Sequence, residues 1–127
     1  MASRLEAFTA WLTAFGDAWE AGDAARLGAL FTVGATFAPD PFEDVVRGRR
    51  AVLAWFAQSF AAWPGASFTA QVLGAGDTYG VAHWRVAAQE SALDGVWVVA
   101  LDFRGRCESL REWSSEAPDK GRVSGAP

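Results

Sequence analysis

Side chains that bind metals or form disulfides are scarce in this sequence. Its 127 residues include one Cys, one His and one Tyr. A single Cys excludes an internal disulfide, and one His with one Cys gives no ligand spacing of the zinc-site type. We therefore expect no metal and no organic cofactor.

Positive charge and long apolar runs are scarce as well. The chain has 11 Lys and Arg against 15 Asp and Glu, a formal net charge of −4, which argues against a nucleic-acid partner. Apolar runs such as Val96 to Leu101 are far too short to cross a membrane, and the N-terminus lacks the apolar segment of a signal peptide. The sequence predicts a soluble, cytoplasmic protein without a membrane partner.

Aromatic side chains are the abundant class, since 7 Trp, 9 Phe and 1 Tyr make up 13% of the chain. Such rings either line a concavity that accepts an apolar guest or fill an aromatic-rich core. Composition alone leaves both interpretations open. The chain length suits one domain whose core needs no disulfide or metal.

Hydrophobic spacing predicts three helices in the first half of the chain. Apolar residues recur at helical spacing over 5–19, which predicts an amphipathic first helix. Asp23 is expected to cap a short second helix, and a short strand is predicted at 35–38. A third helix should run from Gly48 to about Trp63, before Pro64.

The second half alternates β-branched and aromatic residues between Gly-rich breaks, one of them at Asp94-Gly95. Four strands joined by hairpins are predicted near 66–74, 79–90, 95–103 and 106–114. Helices followed by a sheet indicate an α+β fold, with the helices on one face of a mainly antiparallel sheet. We expect one domain over 1–114 and a flexible tail over 115–127.

Several short strings, in this order, resemble the nuclear-transport-factor-2-like superfamily, which includes SnoaL-type polyketide cyclases, ketosteroid isomerases and limonene-epoxide hydrolases. The strings are Ala21-Gly22-Asp23, Ala35-Thr36-Phe37, Gly48, Gly80 to Val86, and Gly105 to Trp113. The resemblance covers about residues 5–114. It implies a cone-shaped roll in which a curved sheet encloses an apolar pocket around the first helix, and whose outer face often forms a dimer.

The resemblance to ketosteroid isomerases fails at the catalytic positions. Their two oxyanion donors fall on Phe15 and Trp97, and their catalytic base falls on Pro39, next to Asp40. Losing one oxyanion donor costs about 2.7–4 kcal/mol of transition-state stabilisation. The chain is therefore not expected to be a standard ketosteroid isomerase.

The resemblance to limonene-epoxide hydrolases retains one carboxylate. Arg111-Glu112-Trp113 is similar to a motif on their last strand, which implies that Glu112 occupies the place of their acidic catalyst. The other residues that activate water in those enzymes have no polar counterpart here. Their positions are occupied by Phe37, Pro39, Trp84 and Val86.

Glu112 is the strongest polar candidate. Strand alternation puts Leu110, Glu112 and Ser114 on one face, which the resemblance assigns to the pocket. A carboxyl desolvated among aromatic rings has a raised pKa and suits general acid or base catalysis. The alternative is an exposed or Arg-paired carboxylate near the end of the sheet.

His83 and Asp40 are the other catalytic candidates. His83 has the only side chain whose ordinary pKa lies near neutrality, but alternation directs it away from the Trp84 face, outward with Arg85. Asp40 lies between Pro39 and Pro41, which suits either a base at the pocket mouth or a turn residue that binds local amides.

These residues leave more than one function open. The first is a cofactor-free isomerase, cyclase or hydrolase that uses a lone carboxylate on a small apolar or aromatic molecule. The alternatives are a non-catalytic module for small ligands and a dimeric interaction module. The expected ligand-lining residues are Phe15, Trp19, Phe37, Trp55, Phe56, Trp84, Trp97 and Leu110.

A homodimer is expected through the outer face of the sheet, because alternation gives that face a mixed apolar and basic surface. The residues assigned to it are Val81, His83, Arg85, Val96, Val98, Ala100, Arg111 and Trp113.

Overall fold

The structure, a computed structural model, describes residues 3–117. Its helices are α1 (Arg4–Ala21), α2 (Ala24–Gly28) and α3 (Arg49–Ala62). Its strands are β1 (Phe31–Ala38), β2 (Val46–Arg47), β3 (Ser67–Ala75), β4 (Gly80–Ala88), β5 (Ser91–Leu101) and β6 (Cys107–Glu116). The predicted α+β class is confirmed.

Local capping fixes the first two helices where the sequence predicted them. Ser3 and Glu6 form a capping box at the start of α1, in which the Ser3 hydroxyl accepts from the Glu6 amide at 3.1 Å. The helix ends at Gly22, whose φ of 61° is left-handed. Asp23 then caps α2, because its Oδ1 accepts from the Arg26 amide at 3.1 Å.

The six strands form one sheet in the order β2-β1-β6-β5-β4-β3. All neighbours are antiparallel except β1 and β6, which are parallel. Strand β2 was not predicted, because two residues carry no alternation pattern. Below, the face covered by α1 and α3 is the inner face, and the opposite face is the outer face.

The predicted turn at Asp94-Gly95 is wrong. Both residues lie within β5, and the hairpin turns at Gln89-Glu90, where Gln89 has a φ of 52°. Gly95 serves close packing instead: a Cβ there would lie 2.7 Å from Cζ2 of Trp84 and 2.5 Å from the Trp113 carbonyl oxygen. A glycine in a strand marks either a break or a close approach, and here it marks the second.

The end of β6 also differs from the predicted boundary. Ser115 and Glu116 belong to β6 and pair with Asp94 and Leu93, so the sheet extends two residues into the region predicted as a tail. Residues 118–127 of that predicted tail lie outside the described residues.

Aromatic rings fill the space between the inner face and the helices. Phe15 of α1 is at the centre, with its ring centroid 4.8 Å from Trp97 and 5.3 Å from both Phe56 and Phe68. Glu20 ties the end of α1 to the edge strand β3, because its Oε2 accepts from the Phe68 amide at 2.9 Å. The abundance of aromatic residues is thus explained largely by the core.

Candidate functional site

Glu112 lies on the inner face with a hydrogen-bond donor at each carboxylate oxygen. It is the cross-strand partner of Trp97, whose indole N–H donates to Oε1 at 2.9 Å. The hydroxyl of Ser114, two residues further along β6, donates to Oε2 at 2.9 Å. These two neutral donors orient the carboxyl group without neutralising its charge.

Burial raises the pKa of Glu112, and the hydrogen bonds from Trp97 and Ser114 only partly oppose that effect. No ion pair to Glu112 occurs within residues 3–117. Arg85 instead donates to Asp94, and the Arg111 guanidinium lies 5.0 Å from the ring centroid of Trp113. The desolvated interpretation of Glu112 is therefore favoured over an ion pair with Arg.

Strand β1 ends before it reaches the level of Glu112. Ala38, the last residue of β1, pairs with Arg111 of β6. Glu112 therefore lies one residue beyond the end of β1. Glu112 is half-buried and Ser114 is exposed. We call the group formed by Glu112, Ser114, Trp97 and Trp84 the Glu112 site.

The rings expected to line a pocket share the inner face. The ring centroids of Trp84 and Trp97 lie 5.1 Å apart, and both join one core cluster with Phe15 and Leu110. Phe15 and Phe37 are fully buried, and so present no free surface to a guest in this structure. The set as a whole is core, with Trp19, Phe56, Trp84, Trp97 and Leu110 also buried and only Trp55, 5.7 Å from Phe37, half-buried.

His83 lies on the outer face, so the structure does not bring it together with Glu112. Its Nε2 is 2.8 Å from Oδ1 of Asp94, and Arg85 donates to the other oxygen of that carboxylate at 2.9 Å. The hydrogen bonds from His83 and Arg85 lower the pKa of Asp94. The sheet separates this cluster from the Glu112 site.

Asp40 is exposed and has the geometry of a turn residue. Its Oδ1 accepts from the Phe42 amide at 2.8 Å, which stabilises the loop after β1. It borders a shallow depression of about 470 Å³ whose lining includes Trp113 of the outer face and also Ser114, the residue that donates to Glu112. Asp40 thus has the contacts of a turn residue, and no hydrogen bond within residues 3–117 joins it to Glu112.

Neither a metal-binding cluster nor a membrane-spanning helix is found in the described part of the chain. No group of three or more His, Cys, Asp or Glu side chains there is arranged to hold a metal ion. None of the helices in 3–117 combines the length and apolarity required to cross a membrane.

The sequence matches the SnoaL-like domain family over residues 12–111. This chain belongs to the SnoaL-like family. The match begins within α1 and ends at Arg111, so it covers half of the strand that carries Glu112 and stops one residue before Glu112 itself.

Solved structures similar to this SnoaL-like domain share its nuclear-transport-factor-2-like fold. An NTF-2 like protein of unknown function from Burkholderia xenovorans LB400 has a TM-score of 0.73 at 20% identity, covering 92% of this chain and 91% of that one. SalBIII, described as an epoxide hydrolase/cyclase-like enzyme in pyran ring formation in polyether salinomycin, has a TM-score of 0.70 at 18% identity, covering 88% and 90%. An NTF2-like protein of unknown function from Mesorhizobium loti has a TM-score of 0.70 at 22% identity, covering 91% and 96%. The search of curated proteins found no significant match.

In this SnoaL-like domain, the two positions that correspond to the oxyanion donors of ketosteroid isomerases hold packed rings. Phe15 has no hydroxyl, and the indole N–H of Trp97 is already used by Glu112. Their ring centroids are 4.8 Å apart. The arrangement offers a carboxyl group that can transfer a proton, and no pair of donors for an enolate oxygen.

Sequence reasoning assigned Trp84 only a lining role and missed its polar atom. Trp84 is 3% exposed, and its Nε1 has no hydrogen-bond partner among the described residues. The signal that could have placed this ring was the cross-strand pairing of Trp84 with Gly95. That pairing was not predicted, because the sequence analysis put a turn at Asp94-Gly95 and therefore did not give the register of β4 on β5.

Proposed function

We propose that this SnoaL-like domain binds a small, uncharged and mainly apolar molecule at the Glu112 site and transfers a proton to or from it without a cofactor. The observation that carries the proposal is the Glu112 carboxyl group itself: half-buried, desolvated enough to raise its pKa, and oriented by Trp97 and Ser114. A carboxyl group in that state can act as a general acid or base nearer to neutral pH than an exposed one.

The class of reaction follows from what the site holds and what it lacks. With no donor pair for an enolate, the proton transfer has to act on an oxygen that leaves or attacks. Ring closure of a hydroxy epoxide fits this requirement. The hydroxyl oxygen forms a new C–O bond while an epoxide C–O bond breaks. Glu112 gives its proton to the opened oxygen and regains one from the attacking hydroxyl.

The structural neighbour SalBIII supports this class as a first choice, because its description names epoxide hydrolase/cyclase-like chemistry and pyran ring formation. The simplest test substrate is a linear 4,5-epoxy alcohol, followed by NMR for pyran, furan and diol products. Glu112→Gln should lower turnover by about 10²–10⁴-fold, the contribution typical of a general acid or base.

Glu116→Gln is the matched control, since it removes an exposed carboxylate on the same strand. Turnover by Glu116→Gln should equal that of the wild type. Equal turnover by Glu112→Gln and the wild type would refute the catalytic role of Glu112.

A non-catalytic ligand-binding module is the second candidate, because the Glu112 site contains one titratable group and the rings around it are closely packed. It predicts that apolar probes bind while the wild type turns over no epoxy alcohol, amide or ester. Binding without turnover would favour this candidate over the enzyme.

We also propose that the chain forms a homodimer through the outer face. Val81, Val96, Val98 and Ala100 are half-buried there, and Trp113 is 39% exposed. A contiguous patch of this kind on a sheet is a typical site of subunit contact.

A further inference from the structure

The buried indole N–H of Trp84 is a hydrogen-bond donor without an acceptor. Its side chain is 3% exposed, and Nε1 is shielded from solvent with no partner among residues 3–117. Buried polar groups in folded proteins are almost always paired, so an exception calls for a physical reason. A phenylalanine would supply a similar ring without the unpaired donor.

The orientation of this ring is fixed by its neighbours. Trp84 is the cross-strand partner of Gly95, and its Cζ2 would be 2.7 Å from a Cβ at that position. The Trp97 ring packs on the other side at a centroid distance of 5.1 Å and an angle of 31°. The N–H of Trp84 lies in the plane of its own ring, so it makes an angle of at most 31° with the plane of Trp97 and is not aimed perpendicular to that face.

The Cζ2 edge of the Trp84 ring lies over Gly95, beside Ser114. A Cβ built on Gly95 would lie 2.7 Å from Cζ2 of Trp84 and 3.0 Å from Cβ of Ser114. In the indole ring, Cζ2 is bonded to Cε2, and Cε2 is bonded to Nε1. Ser114 gives its own hydroxyl proton to Glu112. Ser114 thus adjoins both the Trp84 ring and the Glu112 carboxyl group, and the three residues form one corner of an otherwise aromatic face.

The charges around this corner restrict what it can bind. Arg85 and Arg111 are occupied on the outer face, and no basic side chain in residues 3–117 pairs with Glu112 to balance an anionic ligand beside it. An uncharged molecule with an acceptor oxygen satisfies the indole N–H and avoids repulsion from the carboxylate.

We propose that Trp84 is the ligand-orienting donor of the Glu112 site, and that its N–H binds the carbonyl, ether or epoxide oxygen of an uncharged, mainly apolar ligand. This inference rests on the proposed ligand site and adds to it the specificity for oxygen. Because Nε1 is shielded in the structure described here, the ligand enters as the exposed Ser114 side gives way.

Two probes of the same shape test the proposal: cyclohexanone, which has an acceptor oxygen, and methylenecyclohexane, which replaces that oxygen with carbon. In ¹H–¹⁵N spectra of the full chain, Trp84→Phe and Trp97→Phe assign the two inner indole signals. Cyclohexanone should shift the Trp84 indole proton downfield, whereas methylenecyclohexane should not. This comparison uses only the wild type once the signals are assigned.

Affinity supplies the second measurement. Trp84→Phe should weaken cyclohexanone binding about three- to tenfold, the value of one hydrogen bond, and leave methylenecyclohexane binding unchanged. Trp113→Phe, the same change on the outer face, is the matched control and should alter neither affinity. The remaining indole signals report whether each variant is folded.

Three results would overturn the role of Trp84. If cyclohexanone binds Trp84→Phe as tightly as it binds the wild type, the ligand site stands and Trp84 is not its donor. If the Trp84 indole of the free protein is already hydrogen bonded and loses that bond in Ser114→Ala, its partner is the serine. If neither probe binds the wild type, both this inference and the proposed ligand site fail.

Discussion

Trp97 and Glu112 face each other across β5 and β6, and the indole N–H of Trp97 donates to Oε1 of Glu112 at 2.9 Å. In this way an aromatic core residue holds Glu112, a carboxyl group of the inner face whose pKa is raised by burial. The pairing gives the site an orientation that sequence alternation alone does not supply.

The first prediction concerns Glu112 and stability. Because the pKa is raised in the folded state, the folded protein binds this proton more tightly than the unfolded chain does, and stability falls as the pH rises through the folded pKa. In Glu112→Gln the amide oxygen still accepts from the Trp97 indole N–H. The amide NH₂ group donates to the Ser114 hydroxyl, which then accepts a hydrogen bond instead of donating one. The variant should therefore be more stable than the wild type above that pKa, and the difference should shrink toward pH 4.

Urea unfolding at a series of pH values measures this difference. A Glu112→Gln variant that is less stable than the wild type at every pH would show that the carboxylate is stabilised in the fold.

The second prediction concerns Gly95. Gly95→Ala puts a Cβ against the Trp84 ring and the Trp113 carbonyl, so it should lower the free energy of unfolding by about 1–3 kcal/mol. Gly34→Ala is the control, since a Cβ at Gly34 meets nothing within 4 Å. Similar unfolding free energies for the two variants would mean that Gly95 does not hold Trp84 in place.

The third prediction concerns the centre of the core. Phe15→Ala removes a fully buried ring that contacts four other rings within 5.4 Å. The loss should be about 3–5 kcal/mol in the free energy of unfolding. A loss of unfolding free energy below about 1 kcal/mol would mean that the neighbouring rings surround a cavity instead of packing tightly against Phe15. That result would support the ligand-lining role expected for Phe15.

The fourth prediction concerns assembly. If the outer face forms the homodimer, light scattering should give a mass of twice 13.6 kDa. Val98→Lys should reduce it to that of one chain, because a charge would be buried in the interface. Val33→Lys, at a position 72% exposed on β1, should leave the dimer intact. A monomeric wild type at high concentration contradicts the proposed interface.

Local patterns were enough to predict the helices, one helix cap and most strands. The periodicity of α1, the Asp23 cap and the outward direction of His83 each depend on residues close in sequence. Gly95 was misassigned because a glycine signals a turn and a close contact equally well. Only the register of β4 on β5 distinguishes the two.

The Glu112 site was predicted in part for the same reason. Alternation placed Glu112 and Ser114 on one face, but their hydrogen bonds and the unpaired N–H of Trp84 depend on cross-strand register. Asp40 remained ambiguous in the sequence because a Pro-flanked Asp can either face a pocket or bind a local amide, and in the structure it binds the Phe42 amide.

The central claim is that Glu112 is a desolvated proton carrier, and titration of its carboxyl carbon by ¹³C NMR tests it most directly, with Glu112→Gln to assign the signal. A titration midpoint clearly above the ordinary value for Glu of about 4.3 is the result we predict. A midpoint at or below that value would contradict the account and make Glu112 a structural carboxylate.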